Sequence, residues 1–131
     1  MNIQHTVKVI IPVYKTKLNE LEKVSLDRIY QVLQKHPLVV IKPQSLNITP
    51  LLEEYPQLTV EEFDDNYFKS ISGYNRLMLS SEFYQRFSDC QYILICQLDA
   101  YVFTDELIKW CNKGYDYIGA PWLVRPIYNF P

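Results

Sequence analysis

Tyr92-Ile93-Leu94-Ile95-Cys96-Gln97-Leu98-Asp99-Ala100 is the stretch whose reading decides the fold. It opens as an unbroken apolar run and closes on a carboxylate. A run this short and this apolar predicts a buried strand rather than an exposed helix. Strand alternation sorts it into two faces, with Ile93, Ile95, Gln97 and Asp99 on one and Leu94, Cys96, Leu98 and Ala100 on the other. The second face stays apolar throughout, whereas the first turns polar at the carboxyl end. A carboxylate set among apolar neighbours is costly to bury unless something pairs with it. A hydrated divalent cation carrying a diphosphate would do so, because Mg²⁺ and Mn²⁺ prefer oxygen ligands and bind through one or two carboxylates plus phosphate. The simpler alternative is that Asp99 emerges into solvent and caps a turn.

Outward from this run the chain alternates strand and helix. Val7-Lys8-Val9-Ile10-Ile11-Pro12-Val13-Tyr14 predicts a first buried strand ending near Pro12, which cannot donate a ladder hydrogen bond. A helix is expected over residues 18–34, with Leu18, Leu21, Ser25, Ile29 and Val32 forming one buried stripe and Asn19 with Glu22 resembling a capping box. Residues 38–41 predict a second strand, residues 47–55 a short helix and residues 58–63 a third strand turned by Asp64-Asp65-Asn66. Residues 70–87 predict one helix with Leu77, Met78, Phe83 and Phe87 inward, although Gly73 weakens its first turn. Thr104-Asp105-Glu106 caps a short helix to about Cys111, and residues 116–120 predict a last strand. This order implies an α/β fold: a three-layer α/β/α arrangement with a mostly parallel sheet. Ligands of such sheets bind outside the carboxyl ends of the strands, which directs attention to Tyr14-Lys15, Asp64-Asp65 and Gln97-Leu98-Asp99.

The bulk numbers agree. The 131 residues suit one domain. With 48% hydrophobic and 21% charged residues, the chain can bury a core and is not disordered as a whole. A net charge of -2 with no basic run argues against a nucleic-acid partner. Three cysteines without a CxxC pair argue against a disulfide framework or a zinc site and fit a cytoplasmic protein. No apolar stretch approaches the roughly 20 residues needed to span a bilayer, so any work at a membrane is expected to be peripheral or to run through a part outside this sequence. His5 and His36 are isolated and expected at the surface. Trp110 and Trp122 are expected to pack, Trp122, just past a predicted strand end, also being a candidate for lining a site there.

A family resemblance rests on specific strings. Ile11-Pro12-Val13-Tyr14 looks like the opening motif of many family-2 glycosyltransferases. Phe63-Asp64-Asp65-Asn66-Tyr67-Phe68-Lys69, Gly73-Tyr74-Asn75-Arg76-Leu77-Met78-Leu79-Ser80, the strand around Asp99, and Tyr115-Asp116-Tyr117-Ile118-Gly119-Ala120-Pro121-Trp122 resemble the DUF5672 family, itself similar to GT-A glycosyltransferases. The resemblance implies the nucleotide-binding half of a GT-A (Rossmann-like) fold, without the acceptor-side half. It implies that Pro12, Tyr14 and Asp64 approach the base and ribose of a nucleotide-sugar donor. Asn75 with Arg76 or Lys69 would lie near the nucleotide or its phosphates. Asp99 would take the last position of the DxD motif, binding Mn²⁺ or Mg²⁺ and the sugar diphosphate. The sequence departs from that motif at Gln97, which brings an amide and no charge. The acceptor would be a glycan or a lipid-linked glycan. The general base of an inverting transfer comes from the acceptor side in such folds, so no catalytic residue is assigned.

Other classes compete. Gln97 and the short length suit a truncated or degenerate nucleotide-binding or interaction module. The apolar tail Trp122-Leu123-Val124-Arg125-Pro126-Ile127-Tyr128-Asn129-Phe130-Pro131 would then favour self-association. A nucleotidyltransferase would share the fold but lacks its Gly-rich phosphate loop, since the 3 glycines lie at 73, 114 and 119.

Overall fold

The structure, a computed structural model, describes Ile3 and residues 5–120. Within them the chain forms strand β1 (His5–Pro12), helix α1 (Glu20–Val32), β2 (Leu38–Pro43), α2 (Thr49–Glu54), β3 (Thr59–Phe63), a 3₁₀ turn (Asp65–Phe68), α3 (Ile71–Met78), α4 (Ser81–Arg86), β4 (Cys90–Ile95) and α5 (Leu107–Cys111). The strands form one sheet in the order β3-β2-β1-β4, and every pairing is parallel. The predicted α/β class and parallel sheet are therefore observed.

Strand parity explains the layers. Val9, Ile11, Leu38 and Val40 face one side, where Leu26, Ile29 and Leu33 of the α1 region and Ile48 and Tyr55 around α2 cover them. Ile10, Val39 and Ile41 face the other side, against Leu77, Phe83 and Phe87 from α3, α4 and the residue after it. All six residues of β2 are buried, as expected for a parallel strand with helices on both faces. Each large apolar side chain taken fully out of water contributes about 1.5–3 kcal/mol.

α1 starts where expected: the Asn19 side chain accepts from the Glu22 backbone N–H at 2.8 Å. Its buried stripe differs by a fraction of a turn. Leu26 and Leu33 are buried with Ser25 and Ile29, whereas Leu21 is 80% exposed. Leu21 instead lines the open cleft beside the first turn of α1.

Three further predictions are corrected. The single helix over residues 70–87 is two helices. Ser80 donates to the Leu77 carbonyl at 2.8 Å and accepts from the Phe83 N–H at 3.2 Å, closing α3 and capping α4. A serine hydroxyl competing with the backbone in this way interrupts a helical run that hydrophobic spacing alone would continue. Residues 116–120 form no strand. After Gly114, at φ 73°, they run exposed, with Tyr117 at 85%. One Ile among small and aromatic residues supplies no ladder partner. Finally, β4 ends at Ile95, so Gln97 and Asp99 lie in the turn that follows it. The face assignment still holds there: Leu94, Cys96 and Leu98 join the α1-side core, and Ile93 and Ile95 pack against the α3-side core. Trp122 and the apolar tail lie outside the described residues.

Candidate functional site

The sheet order creates a switch point. From β1 the chain proceeds to β2 and β3 on one side, then returns to place β4 on the other side of β1. The connections diverge at the carboxyl ends of β1 and β4, leaving a crevice between them. A cleft of about 960 Å³ opens there. Its floor is formed by the residues after β1 and β4, and its walls by the first turns of α1 and of α3.

The residues after β1 are held by the sheet itself. The Val13 N–H donates to the Ile41 carbonyl at 2.9 Å, and Cys96 N–H donates to the Ile10 carbonyl at 2.8 Å. These bonds extend the ladders past the strand ends and bring Tyr14 and Gln97 to one opening. The segment after Asp99 is fastened to α1. Ser25 donates to the Ala100 carbonyl, and Arg28 donates to the carbonyls of Val102 and Phe103, each at 2.7 Å. The Arg28 guanidinium also lies 5.4 Å from the Tyr101 ring centroid. Further along, His36 Nε2 meets Asp105 Oδ2 at 2.8 Å with only 9% of the histidine side chain exposed. His36 is thus not the isolated surface residue the sequence suggested. Asp105 bonds the Leu107 N–H at 3.1 Å and so keeps its expected place at the start of α5.

Pro12, Tyr14, Lys69, Asn75, Gln97 and Asp99 all line this cleft. Asp64 and Arg76 do not. Asp64 caps the 3₁₀ turn by accepting from the Asn66 N–H at 2.8 Å. Its neighbour Asp65 accepts from the Ser45 N–H at 3.0 Å, and the Ser45 hydrogen bonds hold its carboxyl below the usual carboxylate range. Arg76 leans over the Tyr67 ring, 6.0 Å from its centroid. β3 is the far strand of the sheet, two places from β4's neighbour β1, which is why its acidic end stays out of the cleft.

The cleft also holds groups to which the sequence reading gave no role of their own. Lys15 is ion-paired with Glu22, which raises the lysine pKa chiefly through that hydrogen bond. Tyr74, the fourth residue of α3, accepts from Gln97 Nε2 at 3.2 Å. Burial raises its phenol pKa; the Gln97 bond opposes this, and the charges of Tyr84 and Asp99 add to it. The only advance signal for Tyr74 was its place beside Asn75. Beneath the floor, burial followed by the charge of Asp99 pushes the Cys96 thiol up to about 11.

With Lys15 satisfied by Glu22, Lys69 and Asp99 are the charged side chains of the cleft without an ion pair among the described residues. No group of three or more His, Cys, Asp or Glu comes together among the described residues. Asp99 and the side-chain oxygen of Gln97 could offer a cation two oxygen ligands, and the remaining ones would have to come from phosphate and water.

An all-parallel α/β sheet with a cleft at its switch point is a Rossmann-like arrangement, and it is shared with solved proteins. Among them is TarS of S. aureus, a glycosyltransferase, at TM-score 0.51 and 17% sequence identity over 82% of this chain. At that identity the likeness shows the fold alone, and the match spans 19% of the TarS chain. The chain belongs to the family described as protein of unknown function (DUF5672), whose model matches residues 57–129. The match includes Asp64, Lys69, Asn75, Arg76, Gln97 and Asp99 and begins after the Ile11-Pro12-Val13-Tyr14 motif. No curated protein matches the sequence.

Proposed function

We propose that the cleft binds a nucleoside-diphosphate sugar together with Mn²⁺ or Mg²⁺, as the donor half of a glycosyltransferase acting on a glycan or lipid-linked acceptor. The observation that supports this best is convergence. Tyr14, Lys69, Asn75, Gln97 and Asp99 come from three separate segments and line one cleft at the switch point.

Charge balance supports the metal. A diphosphate brings more negative charge than Lys69 alone offsets, and Asp99 would add to the repulsion. A divalent cation held by Asp99 and the Gln97 carbonyl would neutralise both and stabilise the leaving diphosphate as a Lewis acid. Lys69 would bind a phosphate as a point charge. Asn75 offers both donors and an acceptor to the nucleotide, and Tyr14, 63% exposed, offers a ring face to the base. Asp64 and Arg76 carry no part in this reading. A cytoplasmic setting is supported by three free thiols, at Cys90, Cys96 and Cys111. No helix among the described residues is long and apolar enough to cross a membrane.

The test is a thermal titration with UDP, GDP and CDP, each with and without Mn²⁺, on wild type and Asp99→Ala. At ligand near a hundred times Kd, binding adds about 2.7 kcal/mol, which raises Tm by several degrees. A rise that needs Mn²⁺ and is lost in Asp99→Ala supports the donor site and names the base. A flat response to all three nucleotides overturns it.

A second reading, a nucleotide-binding module without catalysis, draws on Gln97 standing where a metal-binding carboxylate would be expected. A metal-independent rise, unchanged in Asp99→Ala, would favour it.

A further inference from the structure

Gln97 is an ambiguous group by itself. Its amide has a carbonyl end that suits a cation and an NH₂ end that repels one, and a free side chain on the surface presents both. In this cleft the amide is held with its NH₂ end on a neighbour. Gln97 Nε2 donates to the Tyr74 hydroxyl at 3.2 Å, and among the described residues nothing donates to Gln97 Oε1. Asp99, two residues on, lines the same opening. The carbonyl end is therefore the free end of the amide.

Tyr74 is itself held in place. Ser70 caps α3 by accepting from the Gly73 N–H at 3.0 Å. Gly73 lets the helix approach the preceding 3₁₀ turn so closely that a Cβ there would lie 2.4 Å from the Asn66 carbonyl oxygen. A helix seated this tightly fixes where the phenol of the next residue stands. Because the phenol oxygen accepts from Gln97, its own proton remains available for a second acceptor.

We infer that Tyr74 is a positioning residue that turns Gln97 into a neutral oxygen ligand: it ties down the amide NH₂ so that Oε1 and the Asp99 carboxylate together form an all-oxygen surface for a divalent cation. The inference rests on the donor-site reading above and deepens it. It also accounts for how the site tolerates an amide in place of an acid. Glutamine at this position costs charge but retains an oxygen donor, as long as the phenol goes on accepting from the NH₂ end.

The experiment measures Mn²⁺ affinity directly, from the free-ion electron paramagnetic resonance signal, in the presence of whichever of UDP, GDP and CDP binds wild type. It uses wild type, Tyr74→Phe, Gln97→Glu and the double variant. Loss of one hydrogen bond predicts Mn²⁺ binding roughly three- to tenfold weaker in Tyr74→Phe. Gln97→Glu tightens Mn²⁺ binding. A carboxylate shows oxygen at both ends and has no wrong orientation, so in the Gln97→Glu background the Tyr74→Phe effect disappears. A merely structural phenol would cost the same in both backgrounds, and that result, or an unchanged affinity in Tyr74→Phe, overturns the inference while leaving the donor site standing. Absence of Mn²⁺ binding in wild type with every nucleotide overturns both.

Discussion

The two walls of the cleft are built from similar elements and use their polar residues in opposite ways. On the α1 wall the polar side chains are consumed by the protein. Asn19 caps the helix, Glu22 pairs with Lys15, and Ser25 and Arg28 hold the carbonyls of Ala100, Val102 and Phe103. What that wall turns outward is apolar, chiefly Leu21 and Val24, 80% and 51% exposed. On the α3 wall the structural work is done by groups with little else to offer, the Ser70 cap and the close approach at Gly73. Lys69 and Asn75 are left without a side-chain hydrogen bond or ion pair among the described residues and line the opening. One wall is scaffold and the other presents chemistry, so substitutions on the two should separate stability from binding.

Arg28→Ala is expected to have the largest effect of this kind. It removes two charge-assisted hydrogen bonds that anchor the segment after Asp99 and should cost about 2–3 kcal/mol. Chemical denaturation would measure that loss. The metal-dependent nucleotide response should fall as well, because the turn carrying Asp99 loses its restraint. An unchanged midpoint would mean that the fastening to α1 does not hold this segment.

Gly73→Ala sharpens the comparison from the other side. Alanine gains about 1 kcal/mol of helix propensity over glycine, but its methyl would press on the Asn66 carbonyl oxygen, and overpacking costs about 1–3 kcal/mol. The expected net is a destabilisation near 1 kcal/mol, read as a lower Tm. A stabilised variant would show that α3 can move away from the 3₁₀ turn at no cost, and would weaken the case that Tyr74 is rigidly held.

Lys69→Ala should do least to the fold, within about 0.5 kcal/mol as for an ordinary surface substitution. It should nevertheless abolish most of the nucleotide-induced rise in Tm. If it shifted stability as strongly as Arg28→Ala, the division between scaffold wall and binding wall would be wrong.

Much of the sheet was legible because it depends on local pattern. The apolar alternation around Cys96 assigned Leu94, Cys96 and Leu98 to one core and Ile93 and Ile95 to the other. The Asn19 cap and the strand–helix alternation were equally readable. What misled was pattern without partners. Residues 116–120 have strand-like content but gain no ladder, and residues 70–87 keep a helical spacing through a point where the Ser80 hydroxyl diverts the backbone. Asp64 and Asp99 show the same limit at the site. Each is a carboxylate at or just past a strand's carboxyl end, and only the strand order shows that one lines the cleft and the other does not.

The amino-acid order by itself determined most of the alternating elements, the two faces of each strand and the polar turn of one face toward Asp99, because side-chain periodicity and capping are settled within a few residues. Only the tertiary structure decided which strand ends meet. The order β3-β2-β1-β4 sets Tyr14 and Asp99 across one cleft and leaves Asp64 to cap a turn elsewhere. It also paired His36 with Asp105 and Tyr74 with Gln97, across 69 and 23 residues of chain. Parallel neighbours are chosen by packing and hydrogen-bond ladders formed over such separations, and no local pattern encodes them.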